Sequence, residues 1–329
     1  MAATDQDNWQ TLGWQGITLK APADWRIGAV GGGKEEGYLR VDSAQMPRLE
    51  IKWAAAKGFV EVEGIVDKYL GDLQRKRKRG EPEVTVARDI ELVSKRRMRK
   101  KSLSCFSWQA DTQGYGAAWY CEQCQRSMIV QVMAPATEKA RELAVQIISG
   151  IEDHPKGGWA TWAVYGLQMQ APEDFRLDGQ KLMAGLIELS FEREGETAIG
   201  ARWGMADVAL KNRSLEQWAQ AELANRHKGI RLEFEPTQFR GHEALAVSGQ
   251  HTNPLRRAQR FVMHCMRKSL PEFVRGLLWH CEPTNKLHYV GGLFDEHHVG
   301  LGEELAERMV CHTEADLRRR ARGKAGGKG

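Results

Sequence analysis

Apolar and polar residues alternate in short runs along most of this chain. Ile17, Leu19 and Ala21 alternate with Thr18 and Lys20, the two-residue period of a half-buried strand. Pro22 has no N–H to donate and ends the regular pairing. The chain then turns through Ala23-Asp24 to Trp25, an aromatic suited to plugging a core. The same steps recur 150 positions later. Residues 16–27 and 166–177 share Gly, Ala, Pro, Asp and Arg without a gap, with the apolar positions matched in kind.

The pattern predicts further paired elements. Gly31-Gly32-Gly33 reads as a hairpin loop, followed by strands near Gly37–Ser43 and Arg48–Ala54, and Trp53 and Trp203 keep the spacing of 150. Val62, Ile65, Val66, Tyr69, Leu70 and Leu73 recur at helical spacing and predict a helix over 60–79. Ser214 is a suitable N-cap for its counterpart, which runs to His227. Strands follow near Glu83–Arg88 and Asp89–Val93, then a long pair near Met98–Gln109 and Ala117–Val132. Here the spacing between copies becomes 160, aligning Cys105 with Cys265, Trp119 with Trp279, and Cys121 with Cys281. Helices over Thr137–Ile151 and roughly Gly300–Cys311 close the two copies.

The reading is therefore of two similar domains, 1–153 and 159–314, joined by a linker at 154–158 and followed by a tail at 315–329. Strands and helices do not alternate strictly. The expected class is α+β, with a mainly antiparallel sheet flanked by helices in each domain. A strand leading to Ala-Pro-x-Asp-[Trp/Phe], a mid-domain helix, a long meander and a final helix after a Trp-x-Cys strand resemble the PsbP/Mog-type (DcrB-like) family. That resemblance implies an α-β-α sandwich and members that mostly bind other proteins. It carries over no active site, because the group is functionally mixed.

Composition narrows the picture. At 329 residues, 42% hydrophobic and 28% charged, the chain suits two ordinary globular domains. It has no apolar run long enough to span a bilayer, and its first residues lack the features of a signal peptide. The expectation is a cytoplasmic protein. The net charge of +5 is concentrated beyond residue 314, where Arg318, Arg319, Arg320, Arg322, Lys324 and Lys328 face only Asp316. The rest of the chain is neutral. Such a Gly-rich basic tail is expected to be disordered.

Several stretches invite a chemical reading. Gly28 to Lys34 has phosphate-loop spacing, but Glu35 follows where Ser or Thr must hold Mg²⁺, so a hairpin is expected. Cys121-Glu122-Gln123-Cys124 is a lone CxxC lacking two further zinc ligands. Cys105/Cys121 and Cys265/Cys281 are read as packing pairs on neighbouring strands. His264-Cys265 and His280-Cys281 lie on adjacent strands, but successive strand residues face opposite sides. Asp295-Glu296-His297-His298 reads as a polar approach to the last helix. Neither a cofactor nor a metal site is expected.

The basic clusters offer the better candidate surface. Arg75, Arg77 and Arg79 crowd the end of the first helix. Arg96, Arg97 and Lys100 align with Arg256, Arg257 and Arg260 at the 160 spacing. These nine residues are the candidate contacts for an anionic partner. The functional expectation is a non-enzymatic protein-binding, adaptor or chaperone-like protein that uses no membrane. Two alternatives stand beside it. One is nucleic-acid binding through the basic clusters and tail, and the other is a metal- or thiol-dependent role for Cys and His on the late strands.

Overall fold

A computed structural model describes residues 8–58, 60–77, 80–94, 101–227, 229–251, 270–314 and 316–317. The chain divides into two compact units, Met1–Lys156 and Gly157–Gly329. The first unit begins with a hairpin of β1 (Trp9–Trp14) and β2 (Ile17–Pro22), turning at Gln15 and Gly16, both with positive φ. Seven strands then form an antiparallel sheet. They are β3 (Arg26–Gly32), β4 (Glu36–Asp42), β5 (Pro47–Ala55), β6 (Thr85–Arg88), β7 (Lys101–Gln109), β8 (Thr112–Cys121) and β9 (Arg126–Pro135). Their order across the sheet is β3-β4-β5-β9-β8-β7-β6.

The second unit repeats that order. After the hairpin of β10 (Trp159–Val164) and β11 (Leu167–Pro172) come β12 (Arg176–Leu182), β13 (Leu186–Arg193), β14 (Glu196–Gly204), β15 (Ile230–Phe239), β16 (His242–His251), β17 (Phe273–Cys281) and β18 (Lys286–Phe294). They pair as β12-β13-β14-β18-β17-β16-β15.

Among the described residues the helices are few. In the first unit, α1 (Val62–Arg75) packs Val62, Val66 and Leu70 against Phe106, Trp108 and Ala118 on one sheet face. Its companion α2 (Arg141–Ser149) lies over β8 and β9. The second unit has α3 (Ala206–Ala209), α4 (Leu215–Leu223) and α5 (Leu301–Glu307). Ser214 caps α4 in a capping box with Gln217, satisfying two amides that the first turn leaves unpaired. This is a β-rich fold, and the expected α-β-α sandwich is overturned. The described helices, of 4 to 14 residues, hold far fewer residues than the strands, and the extended antiparallel ladders supply most of the backbone pairing.

Three local readings also change. The run taken as one strand from Ala117 to Val132 is two strands, because the CxxC forms the turn between β8 and β9. Asp89–Val93 is not a strand, although Leu92 and Val93 are buried. Cys105 pairs in register with Ala117, whereas Cys121 faces Lys101, so Cys105 and Cys121 are not a cross-strand pair. Cys265 lies outside the described residues. A hairpin does join β3 and β4, but Gly31 and Gly32 lie within β3, paired with Tyr38 and Gly37, and of the three glycines only Gly33 is in the loop.

One detail of the fold positions the site. In each unit the last segment returns to the strand that precedes the Ala-Pro-x-Asp turn. Thr18 exchanges backbone hydrogen bonds with Glu152 at 2.8 Å, and the Val310 amide donates to Gln168 at 2.9 Å. The residues just after these bridges are Asp153-His154 in the first unit and Cys311-His312 in the second.

Candidate metal centre

Four nitrogen and sulfur donors converge in the second unit. His242 opens β16, placed there by the Arg240-Gly241 turn, whose two residues both have positive φ. Cys281 ends β17. The antiparallel register ends with Ala244 opposite Trp279, and that alignment, continued by two residues on each strand, brings His242 across from Cys281. Cys311 and His312 come from the returning segment, which Arg240 holds by donating to the carbonyls of Met309, at 2.9 Å, and Glu307. One donor atom from each of the four residues lies within 4.8 Å of the others, and all but His312 are buried.

The spacing of the donors matches a tetrahedral ion. With Zn–S near 2.3 Å and Zn–N near 2.05 Å, the sulfur-to-nitrogen edge of a tetrahedron is about 3.6 Å. The distances here are 3.4 Å for Cys281 Sγ to His312 Nδ1, 3.3 Å for Cys311 Sγ to the same nitrogen, and 3.6 Å for Cys311 Sγ to His242 Nε2. The two imidazoles stand edge to face, with ring centroids 5.2 Å apart.

Electrostatics separate the two thiols. The Cys311 thiol hydrogen-bonds to Cys281. That bond outweighs burial and, with the Thr284 hydroxyl and amide and with His312, brings the Cys281 pKa down to about 5. Cys311 moves upward for the reciprocal reason, with burial adding to it. The interaction thus favours the thiolate on Cys281 and disfavours it on Cys311. The His242 pKa is lowered, chiefly by burial, which keeps the ring neutral and able to ligate.

A second layer supports the donors. The Trp279 indole N–H has no conventional hydrogen-bond partner among the described residues, and it acts on the Cys311 sulfur, tempering that thiol's upward shift. Trp279 stacks on His288 at 5.4 Å. His288 is fully buried with both ring nitrogens unpaired among the described residues, and burial holds its pKa near 3.

The first unit places a related set at the same point of its strand order. Cys121 ends β8, Cys124 lies in the turn, and Asp153-His154 follow the bridge to Thr18; the four donors again fall within 4.8 Å. Cys121 Sγ lies 3.6 Å from His154 Nδ1. Asp153 Oδ1 is 2.8 Å from His154, while Oδ2 accepts from Lys101 and from Trp119 Nε1, each at 2.7 Å. Burial pushes the Asp153 pKa up, but Lys101, Trp119 and His154 together bring it below the usual carboxylate range. Burial raises the Cys121 pKa against opposing amides of Cys124 and Gln123.

A third set, Glu196, Asp295 and His298, sits where the chain approaches α5. Asp295 accepts from the amides of His297 and His298, and Glu196 accepts from the Asp295 amide and from His298 Nδ1, both at 3.0 Å. These bonds tie down a turn.

Sequence reasoning did not find the four-donor set. It weighed Cys281 only with its neighbour His280 and with Cys265, and it assigned His154 to the linker and Cys311 to a helix end. The available signal was the repeated position of Asp153-His154 and Cys311-His312, each following the last helix of its copy. Of the expected basic residues, Arg75 pairs with Asp72, and Arg77 pairs with Asp111 at 2.7 Å and Glu81 at 3.5 Å. Their charges are locally matched. Arg77 also lines a cleft of about 500 Å³ beneath α1, with Tyr69, Trp108 and Gln131. Arg79, Arg96, Arg97, Lys100, Arg256, Arg257, Arg260 and the basic tail lie outside the described residues, as do His264 and Cys265. No helix among the described residues is long and apolar enough to cross a membrane.

No protein-family model matches the chain, and the search of curated proteins gave no match. The PsbP/Mog-type resemblance thus rests on its short motif alone. Among solved structures, the apo immunity protein TplEi of the T6SS from Pseudomonas aeruginosa aligns over 93% of this chain and 98% of its own, at 9% identity and a TM-score of 0.35. The dehydratase domain from the CurK module of curacin polyketide synthase aligns over 78% and 94%, at 8% identity and a TM-score of 0.14. Likenesses at this level carry no argument about what the chain does.

Proposed function

We propose that this chain is a non-enzymatic zinc-binding protein whose second unit is closed by an ion on His242, Cys281, Cys311 and His312. The observation that carries the reading is the convergence of two thiols and two imidazoles at tetrahedral edge distances. Two thiolates neutralise a divalent ion, and four protein donors leave it no open position for water or substrate. That makes the centre structural rather than catalytic. The ion would join β16, β17 and the returning segment, three pieces distant in sequence. Metal analysis of the purified full chain should find zinc, and Cys281→Ala should hold one equivalent less than wild type. Zinc content unchanged in Cys281→Ala would refute the assignment.

A protein partner is the second part of the reading, supported by an exposed apolar patch in the same unit. Met183, Met205 and Val208 are 56%, 61% and 63% exposed. The Gly204 amide donates to the Gly185 carbonyl at 3.0 Å and so ties the two loops that carry them. Met205 also has positive φ, a conformation that costs a side-chain-bearing residue of order 1 kcal/mol. Exposed methionines suit an adaptable binding surface. Met205→Asp with Val208→Asp should abolish capture of a partner protein from native lysate while leaving the melting temperature unchanged. Capture equal to wild type would remove the patch from the account.

A further inference from the structure

We propose that the first unit holds a second zinc-class ion of a different type, on Cys121, Cys124, His154 and Asp153 Oδ1, with Lys101 as its built-in counter-charge. The inference stands on its own residues and does not require the centre in the second unit.

The lone CxxC lacked two ligands in the sequence, and the fold supplies both. Glu152 is bonded to Thr18 through its backbone, which sets Asp153 and His154 over the β8–β9 turn. Donor atoms of all four residues then lie within 4.8 Å of one another. The Cys121-to-His154 distance of 3.6 Å equals the sulfur-to-nitrogen edge of about 3.6 Å worked out from tetrahedral zinc geometry. The turn also directs the amides of Gln123 and Cys124 at the Cys121 sulfur, although burial outweighs them and the thiol's pKa is raised.

Asp153 divides its two oxygens between different neighbours. It is 1% exposed, and its Oδ2 is saturated by the Lys101 ammonium and the Trp119 indole. Oδ1 pairs with His154 Nδ1 at 2.8 Å, a contact that an ion taken up between the two atoms would replace. A carboxylate whose outer oxygen is held by fixed donors while the inner one turns toward a Cys/His set has the arrangement of a ligand with its supporting shell. Trp119 and Trp279 occupy the same strand position and both direct their N–H at the residue preceding the ligand histidine, Asp153 in one case and Cys311 in the other.

Charge accounts for the substitutions between the units. In the second, a divalent ion with two thiolates and two neutral imidazoles sums to zero. In the first, two thiolates and Asp153 leave one negative charge beside the ion. Lys101 stands across from Cys121, the strand position that His242 holds opposite Cys281, and it returns that charge to zero. Thr284 follows Cys281 at the spacing at which Cys124 follows Cys121. The first unit thus draws its second sulfur from the turn, and the second draws it from the returning segment. On binding, Cys121 and Cys124 each release one proton to solvent, and Lys101 keeps its bond to Asp153.

Cobalt(II) titration of the reduced, full-length chain tests the proposal through the thiolate-to-metal absorption. Wild type should take up two ions, Cys124→Thr one, Cys281→Ala one, and the double variant none. Cys124→Thr writes into the turn the residue that the other unit uses there, so the fold should hold. Circular dichroism of each variant confirms that it does. Lys101→Met should weaken the ion lost in Cys124→Thr by about tenfold or more and leave the other unchanged. Uptake by Cys124→Thr equal to wild type overturns the proposal, whatever Cys281→Ala shows. Tighter binding in Lys101→Met overturns the counter-charge assignment. Failure of the second-unit reading would instead appear as Cys281→Ala matching wild type.

Discussion

His288 offers a test of the core behind the second-unit centre. Its imidazole is fully buried, stacks on Trp279, and has no hydrogen-bond partner among the described residues. Burial, with Lys286 and Arg202 nearby, depresses its pKa to about 3. A His with a depressed folded pKa supports the fold fully above the unfolded value of about 6.5 and loses that support as pH falls. At about pH 4.5 the unfolded chain binds the proton and the folded one does not. Two pH units at 1.36 kcal/mol each give a loss of about 2.7 kcal/mol. The figure holds for any folded pKa well below 4.5. The first unit has Met128 at the corresponding position, facing Trp119 as His288 faces Trp279. His288→Met should therefore pack without strain. Urea unfolding followed by tryptophan fluorescence, with chelator present so that ligand protonation does not contribute, gives both stabilities. The advantage of His288→Met over wild type should grow by about 2.7 kcal/mol between pH 7.5 and pH 4.5. An advantage that stays constant across that range would falsify the buried, neutral imidazole.

Other consequences can be measured independently. With free zinc at about a thousand times the dissociation constant, chelation should lower stability by about 4 kcal/mol for each ion-holding unit, read as a fall in thermal midpoint. Glu188 is buried and pairs with Arg226 and Lys181, each at 2.7 Å. Burial raises its pKa, but these cations lower it further, so its support is lost as pH falls through the acidic range. Arg226→Met should cost about 3 kcal/mol at neutral pH, and a chemical melt indistinguishable from wild type would contradict this. Gly292→Ala would place a Cβ 1.9 Å from the Thr197 carbonyl oxygen. That backbone atom belongs to the β14–β18 ladder and cannot swing aside, so a loss of roughly 1–3 kcal/mol is expected by calorimetry.

Local periodicity made much of the strand content legible. The alternation at Ile17–Ala21, the hairpin after Gly32 and the capping signal of Ser214 depend on neighbours within a few residues, and each has its structural counterpart. Helices were extended too far. The region 60–79 reads as one amphipathic run, yet α1 ends at Arg75. Similarly, a closing helix expected to reach Cys311 stops at Glu307, so Cys311 and His312 lie beyond it on the returning segment.

The sequence alone determined the recurrence of elements and which residues alternate toward a core, because these follow from spacing along one strand or helix. Only the tertiary structure decided what the cysteines face. His242, Cys281 and Cys311 are separated by dozens of residues, and Cys121 is 32 positions from Asp153. Their convergence depends on strand register and on where the last segment lands. A shift of one residue in either pairing would turn the donors to opposite faces of the sheet. The strand before Ala-Pro-x-Asp was visible from the start as a repeated motif. The fold shows it as the ledge on which each returning segment is pinned, through Thr18 in one unit and Gln168 in the other.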